Sequence, residues 1–324
     1  MKGKTIPAPD LPKAATLIQR NHNGGFFSNL NAVLTVLDRH LHHDGVDAVV
    51  VDWRAESELA EFSYGRPGDG NLWLAFYEPL RFDHFPNRRV VHVGPAYYDA
   101  TGMSAYAMYK LRPSWRRRYA AIYGRFVRPL PHIMAKVDAI ASSFPPGSFR
   151  LGVHYRNPLH SVECPFPIPP PEIFVARARA LLPKGRPFVV VLATDVSAAV
   201  PVFREAFGEA LTIQGAVRRA DGMTGGEDQI HHGSAEPARE LGEQALVDCL
   251  LLARCDAVLH ITSNLATAVG YINPALRMVY CETLLETMLG YAWSVRLFVR
   301  RARAERRFNR WTARAVRARR GTLR

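Results

Sequence analysis

No stretch of this 324-residue chain approaches the roughly 18 consecutive apolar residues of a membrane-spanning helix. Its opening, Met1 to Lys13, lacks the apolar core of a secretion signal. Both absences lead to an expectation of cytoplasmic residence. Cysteine is scarce. The four residues Cys164, Cys249, Cys255 and Cys281 show neither CxxC nor mixed Cys/His spacing, which argues against a disulfide framework or a zinc site and leaves reduced packing residues. No carboxylate cluster of the kind that holds a divalent ion is evident, so no metal and no cofactor are expected. No internal repeat is present.

The excess of basic over acidic residues is greatest at the C-terminal end. Residues 296–324 hold twelve arginines against the single acid Glu305, a net of +11 out of the chain's +13, so everything before them is nearly neutral at +2. The basic character therefore belongs to a tail, and the body calls for a separate explanation. Within the tail, Ala304, Phe308, Trp311 and Ala315 recur at i, i+4, i+7 and i+11, a narrow apolar stripe on a helix otherwise mostly arginine. That pattern suits an anionic membrane surface on the inner face of the bilayer. A solvated basic tail and an RNA-binding arm are the other readings of it, nucleic acid being the less favoured partner.

The body is 48% hydrophobic over the whole chain's composition, enough for two domains with their own cores. From about residue 149, short runs rich in Val, Ile and Leu alternate with helix-length segments. The runs are FRLGVHY, PFVVVLAT, LTIQ, DAVLHIT and RMVYCE; the segments between them are PEIFVARARALL, SAAVPVFREAF, LGEQALVDCLLLA and NLATAVGYI. Strands apolar throughout and separated by helices predict a parallel sheet covered on both faces. The first half repeats this more faintly, with a helix at SNLNAVLTVLDRHL and strands at DAVVVDW and RRVVHV. Two doubly wound α/β lobes follow. Ala141 to Phe149 (ASSFPPGSF) has the composition of a linker, giving an N-terminal lobe over 1–146, a C-terminal lobe over 147–290 and the basic tail over 291–324. The polar, Gly-rich segment 215–233 is long for a compact domain and reads as either a functional lid or a partly disordered stretch.

Ligands of open parallel sheets bind beyond the carboxyl ends of the strands. His154 and Arg156 leave one strand, Asp195 another, and Thr262, Ser263 and Asn264 a third, with Asp248 on the helix feeding it. In the first lobe, Gly24 and Gly25 stand directly before a helix. Each has an ordinary explanation: an ion pair for Arg156, helix capping for Asp195, Ser263 and Asn264, a partnership with Arg254 for Asp248, a loop position for His160, a tight turn for the glycines. Jointly they supply what a nucleoside diphosphate needs, namely a forked cation, close backbone approach and a helix N-terminus. An ionised acid such as Asp248 can accept two bonds from the N1–H and 2-amino group of guanine.

The succession GVHYR, VVVLATD and ALVDCLLLARCDAVLHITSNLATAVGY, over roughly residues 149–273, resembles the fucosyltransferase superfamily, specifically the alpha-1,6-fucosyltransferases and the rhizobial nodulation-factor fucosyltransferase. GGFFSNLNAV is similar to that family's glycine loop and helix. The resemblance implies a GT-B-like fold of two Rossmann-like lobes and an inverting, metal-independent transfer from GDP-fucose to a glycan or lipid-linked sugar. It also implies Arg156 on the β-phosphate, Gly25 and the Ser263–Asn264 turn at the diphosphate, His154 and Asp248 at guanine, and Asp195 lining the site. One departure is visible: Asn157, followed by Pro158, stands where relatives carry a second arginine, with His160 and Glu163 nearby to replace it. Glu163, His160 and Asp195 are the candidates for the base that deprotonates the acceptor. The rival readings are a transferase of another GDP-sugar, and a non-catalytic basic protein that binds RNA or membrane.

Overall fold

The computed structural model describes residues 15–20, 25–40, 46–53, 70–80, 90–93, 113–156, 168–214, 238–261 and 263–281. Eight described strands form two parallel sheets. The first contains β1 (Ala15–Arg20), β2 (Val46–Asp52) and β3 (Val90–Val93) in the order β2-β1-β3. Helix α1 (Phe26–His40) joins β1 to β2. After the short helix α2 (Trp73–Phe76) and β3 come α3 (Pro113–Phe126) and α4 (Pro131–Ser142), which lead into the second sheet.

That sheet has five strands: β4 (Phe149–Tyr155), β5 (Phe188–Thr194), β6 (Leu211–Ile213), β7 (Ala257–His260) and β8 (Arg277–Tyr280), in the order β6-β5-β4-β7-β8. The connections are α5 (Pro171–Leu181), α6 (Ala199–Phe207), α7 (Ala238–Ala253) and α8 (Asn264–Ile272). The chain starts at the centre, runs to one edge, then returns to fill the other side. Strand order reverses between β4 and β7, and ligands of such sheets bind beyond the strand ends at that point.

Alternation along the strands sorts the side chains. Leu151, Val153 and Tyr155 of β4, with Val190 and Leu192 of β5 and Ala257 and Leu259 of β7, pack on Phe174 of α5 and Phe203 of α6. The opposite face, with Val189, Val191 and Val258, meets α7 and α8. That second core does not stop at the sheet. It continues through Leu246 and Leu250 of α7 and Val269 of α8 to Tyr123 and Phe126 of α3, Ile133 of α4, and Phe26, Leu30 and Val33 of α1. An aromatic group of Phe26, Trp53, Trp73, Phe76 and Tyr77 closes it, the indoles of Trp53 and Trp73 lying edge to face at 5.2 Å.

The two-sheet α/β architecture and every element predicted between residues 149 and 281 are present. Four described pieces were not predicted: β1, the short helix α2, and the helices α3 and α4. In α3 the buried stripe Tyr119, Ile122, Tyr123 and Phe126 has helical spacing, but four arginines and Gly124 fill its other faces. The 215–233 segment and the basic tail lie outside the described residues, as do Gly24, His160, Glu163 and Thr262.

Candidate active site

At the point of strand reversal two histidines sit side by side. Val153 of β4 aligns with Leu259 of β7, so the following residues, His154 and His260, are neighbours on the face that meets α7 and α8. Both are buried. Nδ1 of His154 lies 3.3 Å from the hydroxyl of Ser263. That hydroxyl also accepts the Ala266 N–H at 2.9 Å, which makes Ser263 the N-cap of α8, and Thr267 donates to the Ser263 carbonyl at 3.0 Å. Ser263 thus fills its ordinary capping role and touches a strand-end histidine at the same time. His260 Nδ1 meets the Ile261 carbonyl at 2.9 Å; a carbonyl only accepts, so this nitrogen carries a proton. The ring packs edge-on against Tyr280 at 4.4 Å.

Burial, then the neighbouring charges of Arg156 and His260, lower the His154 pKa to about 3. The ring is therefore neutral at physiological pH. Arg156 follows β4 directly and is half-buried. Its Nε is shielded from solvent and donates to no described acceptor, although the side chain has other interactions. Tyr155, between them, faces the opposite side of the sheet, and burial followed by the carboxylates of Glu172 and Asp195 pushes its phenol up to about 12. Asp195 therefore lies near the end of β4. It is not a helix cap, since α6 starts after Ala198.

Asp248 is buried on α7 and is met by the side-chain amide of Gln214, which immediately follows β6. The same amide reaches the Gln244 carbonyl at 3.3 Å. Arg254, the ordinary partner suggested for Asp248, pairs instead with Asp138 of α4 at 2.6 Å. In the first sheet, the Gly25 carbonyl accepts from the Asn29 N–H at 3.1 Å and from its side-chain amide at 3.3 Å, opening α1 just beyond β1.

Two groups of the predicted set thus meet. His154 and Ser263 touch, with Arg156 next to them, and Gly25 heads a helix that reaches Asn264. The link is Asn31: its amide donates to the side-chain oxygen of Asn264 at 3.0 Å and to its carbonyl at 3.3 Å, while Tyr271 donates to the Asn31 oxygen at 3.0 Å. Helix α1, which follows β1 of the first sheet, and helix α8, which follows β7 of the second, are therefore in direct contact. Sequence reading overlooked His260, Gln214 and Asn31. Asn31 did leave a signal: Asn31, Thr35 and Asp38 mark a polar stripe on α1 at i, i+4 and i+7, and all three are buried, with Thr35 at 3.2 Å from the Tyr119 hydroxyl and Asp38 paired to Arg118. For His260 the signal was the strand register, which the sequence does not carry. Among the described residues no group of three or more His, Cys, Asp or Glu is placed to hold a metal ion, and no helix is long and apolar enough to cross a membrane.

The fold is shared with solved structures. A NodZ alpha-1,6-fucosyltransferase soaked with GDP-fucose superposes with a TM-score of 0.51 at 20% identity, over 80% of this chain and 93% of that one. The same enzyme co-crystallised with GDP gives 0.50 at 19%, over 80% and 92%. A fucosyltransferase NodZ from Bradyrhizobium gives 0.49 at 19%, over 80% and 93%. No protein-family model matches the chain, and no curated protein sequence matches it. At these identities the likeness is one of fold: the chain has a fucosyltransferase-like, GT-B-like architecture, as the motifs implied.

Proposed function

We propose that this chain is an inverting glycosyltransferase that takes fucose from GDP-fucose and delivers it to a hydroxyl of a glycan or a lipid-linked sugar, without a metal. The observation that carries the reading is the meeting of Arg156, His154 and the capped N-terminus of α8 at the strand reversal of a fold shared with a GDP-fucose-soaked enzyme. In this reading the diphosphate lies against the first-turn N–H groups of α8 and the Arg156 guanidinium, with Gly25 facing it from the first sheet. The Ser263 hydroxyl gives its proton to Nδ1 of His154. Nε2–H is then a neutral donor toward the guanine, and the Asp248 carboxylate, oriented by Gln214, accepts from its N1–H and 2-amino group.

Transfer breaks the bond from the sugar's anomeric carbon to the β-phosphate oxygen. Positive charge grows on the sugar ring while negative charge grows on GDP. Arg156 and the α8 dipole stabilise that leaving group, and donors fixed before the reaction do so without reorganising. The acceptor hydroxyl forms the new bond from the opposite face and loses its proton to a carboxylate or imidazole, for which Asp195, His160 and Glu163 are the candidates.

The test is titration of the whole chain with GDP, ADP and UDP, followed by transfer assays with GDP-fucose in EDTA. GDP should bind at least about tenfold more tightly than the other two, a preference of roughly 1.4 kcal/mol, and transfer should persist in chelator. Equal affinity for all three nucleotides would refute the guanine assignment. Saturable GDP binding without transfer of any GDP-sugar would favour a binding protein.

A further inference from the structure

Helix α8 presents the proposed diphosphate-binding turn, yet its own last turn contains no basic residue. The cation at its carboxyl end comes from α3. Arg116 donates from Nε to the Gly270 carbonyl at 2.9 Å, and from Nη2 to the carbonyls of Asn273 at 2.9 Å and Leu276 at 2.8 Å. One planar fork thus ties the end of the helix to the turn leading into β8. The carbonyls of Gly270 and of the C-cap Asn273 carry the partial negative charge of the helix end, and a guanidinium satisfies them together with that of Leu276 in a fixed geometry that an ammonium lacks. At the other end, Asn31 holds Asn264, and its side-chain oxygen also accepts from the hydroxyl of Tyr271 in the last turn. A helix of nine residues, about 13 Å long, is therefore gripped at both termini by side chains from the first 120 residues of the sequence.

We propose that Arg116 is a positioning residue for the nucleotide site: by fixing the axial position and rotation of α8, it sets where Ser263 and the first-turn N–H groups meet the diphosphate. This rests on the function proposed above. A donor array displaced by even about 1 Å loses much of its effect on an anion, so the clamp at one end of the helix governs binding at the other.

The experiment compares Arg116→Met, which keeps the stem and removes the fork, with the milder Arg116→Lys, which keeps the charge. Binding of GDP and of guanosine is measured by titration, and amide hydrogen exchange of 264–272 is followed without nucleotide. Arg116→Met should weaken GDP about tenfold while leaving guanosine within about twofold, and should speed exchange along α8. Arg116→Lys should fall between it and the unaltered chain. Equal losses for GDP and guanosine, or faster exchange with unchanged GDP affinity, would reduce Arg116 to a structural role. If the unaltered chain binds no GDP, the nucleotide reading and this role fall together, whereas GDP binding with an insensitive Arg116 overturns this role alone.

Discussion

His154 shows how one side chain carries both stability and chemistry. Its environment keeps it neutral: burial, then Arg156 and His260, hold the pKa near 3 against 6.5 for the free side chain. Above pH 6.5 the folded and unfolded chains bind the same number of protons here, and the site contributes no pH dependence. Between 6.5 and about 3 the unfolded chain takes up a proton that the native state refuses, so stability falls by roughly 1.4 kcal/mol for each pH unit of acidification. Denaturant unfolding at pH 6, 5 and 4 should reveal this slope in the unaltered chain and a shallower one in His154→Gln. Identical slopes would mean that the imidazole is not sheltered. A neutral ring is also what the proposed arrangement uses, since Nδ1 must stay unprotonated to accept from Ser263 while Nε2–H faces the guanine. Arg156→Lys probes the neighbouring position: the charge stays but the fork goes, and transfer should drop at least about tenfold. Turnover near that of the unaltered chain would remove Arg156 from the leaving-group role.

Among the elements, β4 is tightly constrained, and Gly152 is the reason. A Cβ at this position would stand 2.7 Å from Cδ2 of Leu252 and 2.9 Å from Cγ2 of Val258, inside contact distance for the α7 side chain above and the β7 side chain beside it. Gly152→Ala should destabilise the protein by about 1–3 kcal/mol by overpacking, measured by chemical denaturation, and a variant of unchanged stability would show that α7 can withdraw. This need for a missing side chain could not be read from FRLGVHY itself, because it depends on which helix lands on the strand. What could be read was every element whose period and propensity agree. FVVVLAT forms β5, and NLATAVGYI forms α8 from its first residue to its last. Ser263, expected either to cap or to serve the site, does cap and also touches His154. The arginine-rich α3 escaped because its buried face is aromatic and its other faces look like solvated loop. The same blindness hid Arg116, whose three acceptors lie more than 150 residues away in sequence. Long-range pairings of this kind leave no local period.

For the whole molecule, charge and packing lead to separate expectations. Under the proposed function the nearly neutral body would carry out transfer, and the +11 of residues 296–324 would attach it to an anionic surface. The intact chain should pellet with anionic but not neutral vesicles, at roughly 1 kcal/mol per basic residue near the surface, and a chain lacking 296–324 should remain in solution and still bind GDP. Equal pelleting of the truncated chain, or a preference of the intact one for RNA, would reassign the tail. The body itself is governed by the core that runs unbroken from the five-stranded sheet through α7 and α8 to α3, α4 and α1. Neither sheet can lose its half of that core without exposing the other's, so the melting of one is thermodynamically coupled to the melting of both. Scanning calorimetry should then record a single endotherm whose van't Hoff and calorimetric enthalpies agree, even though the chain folds its strands into two sheets.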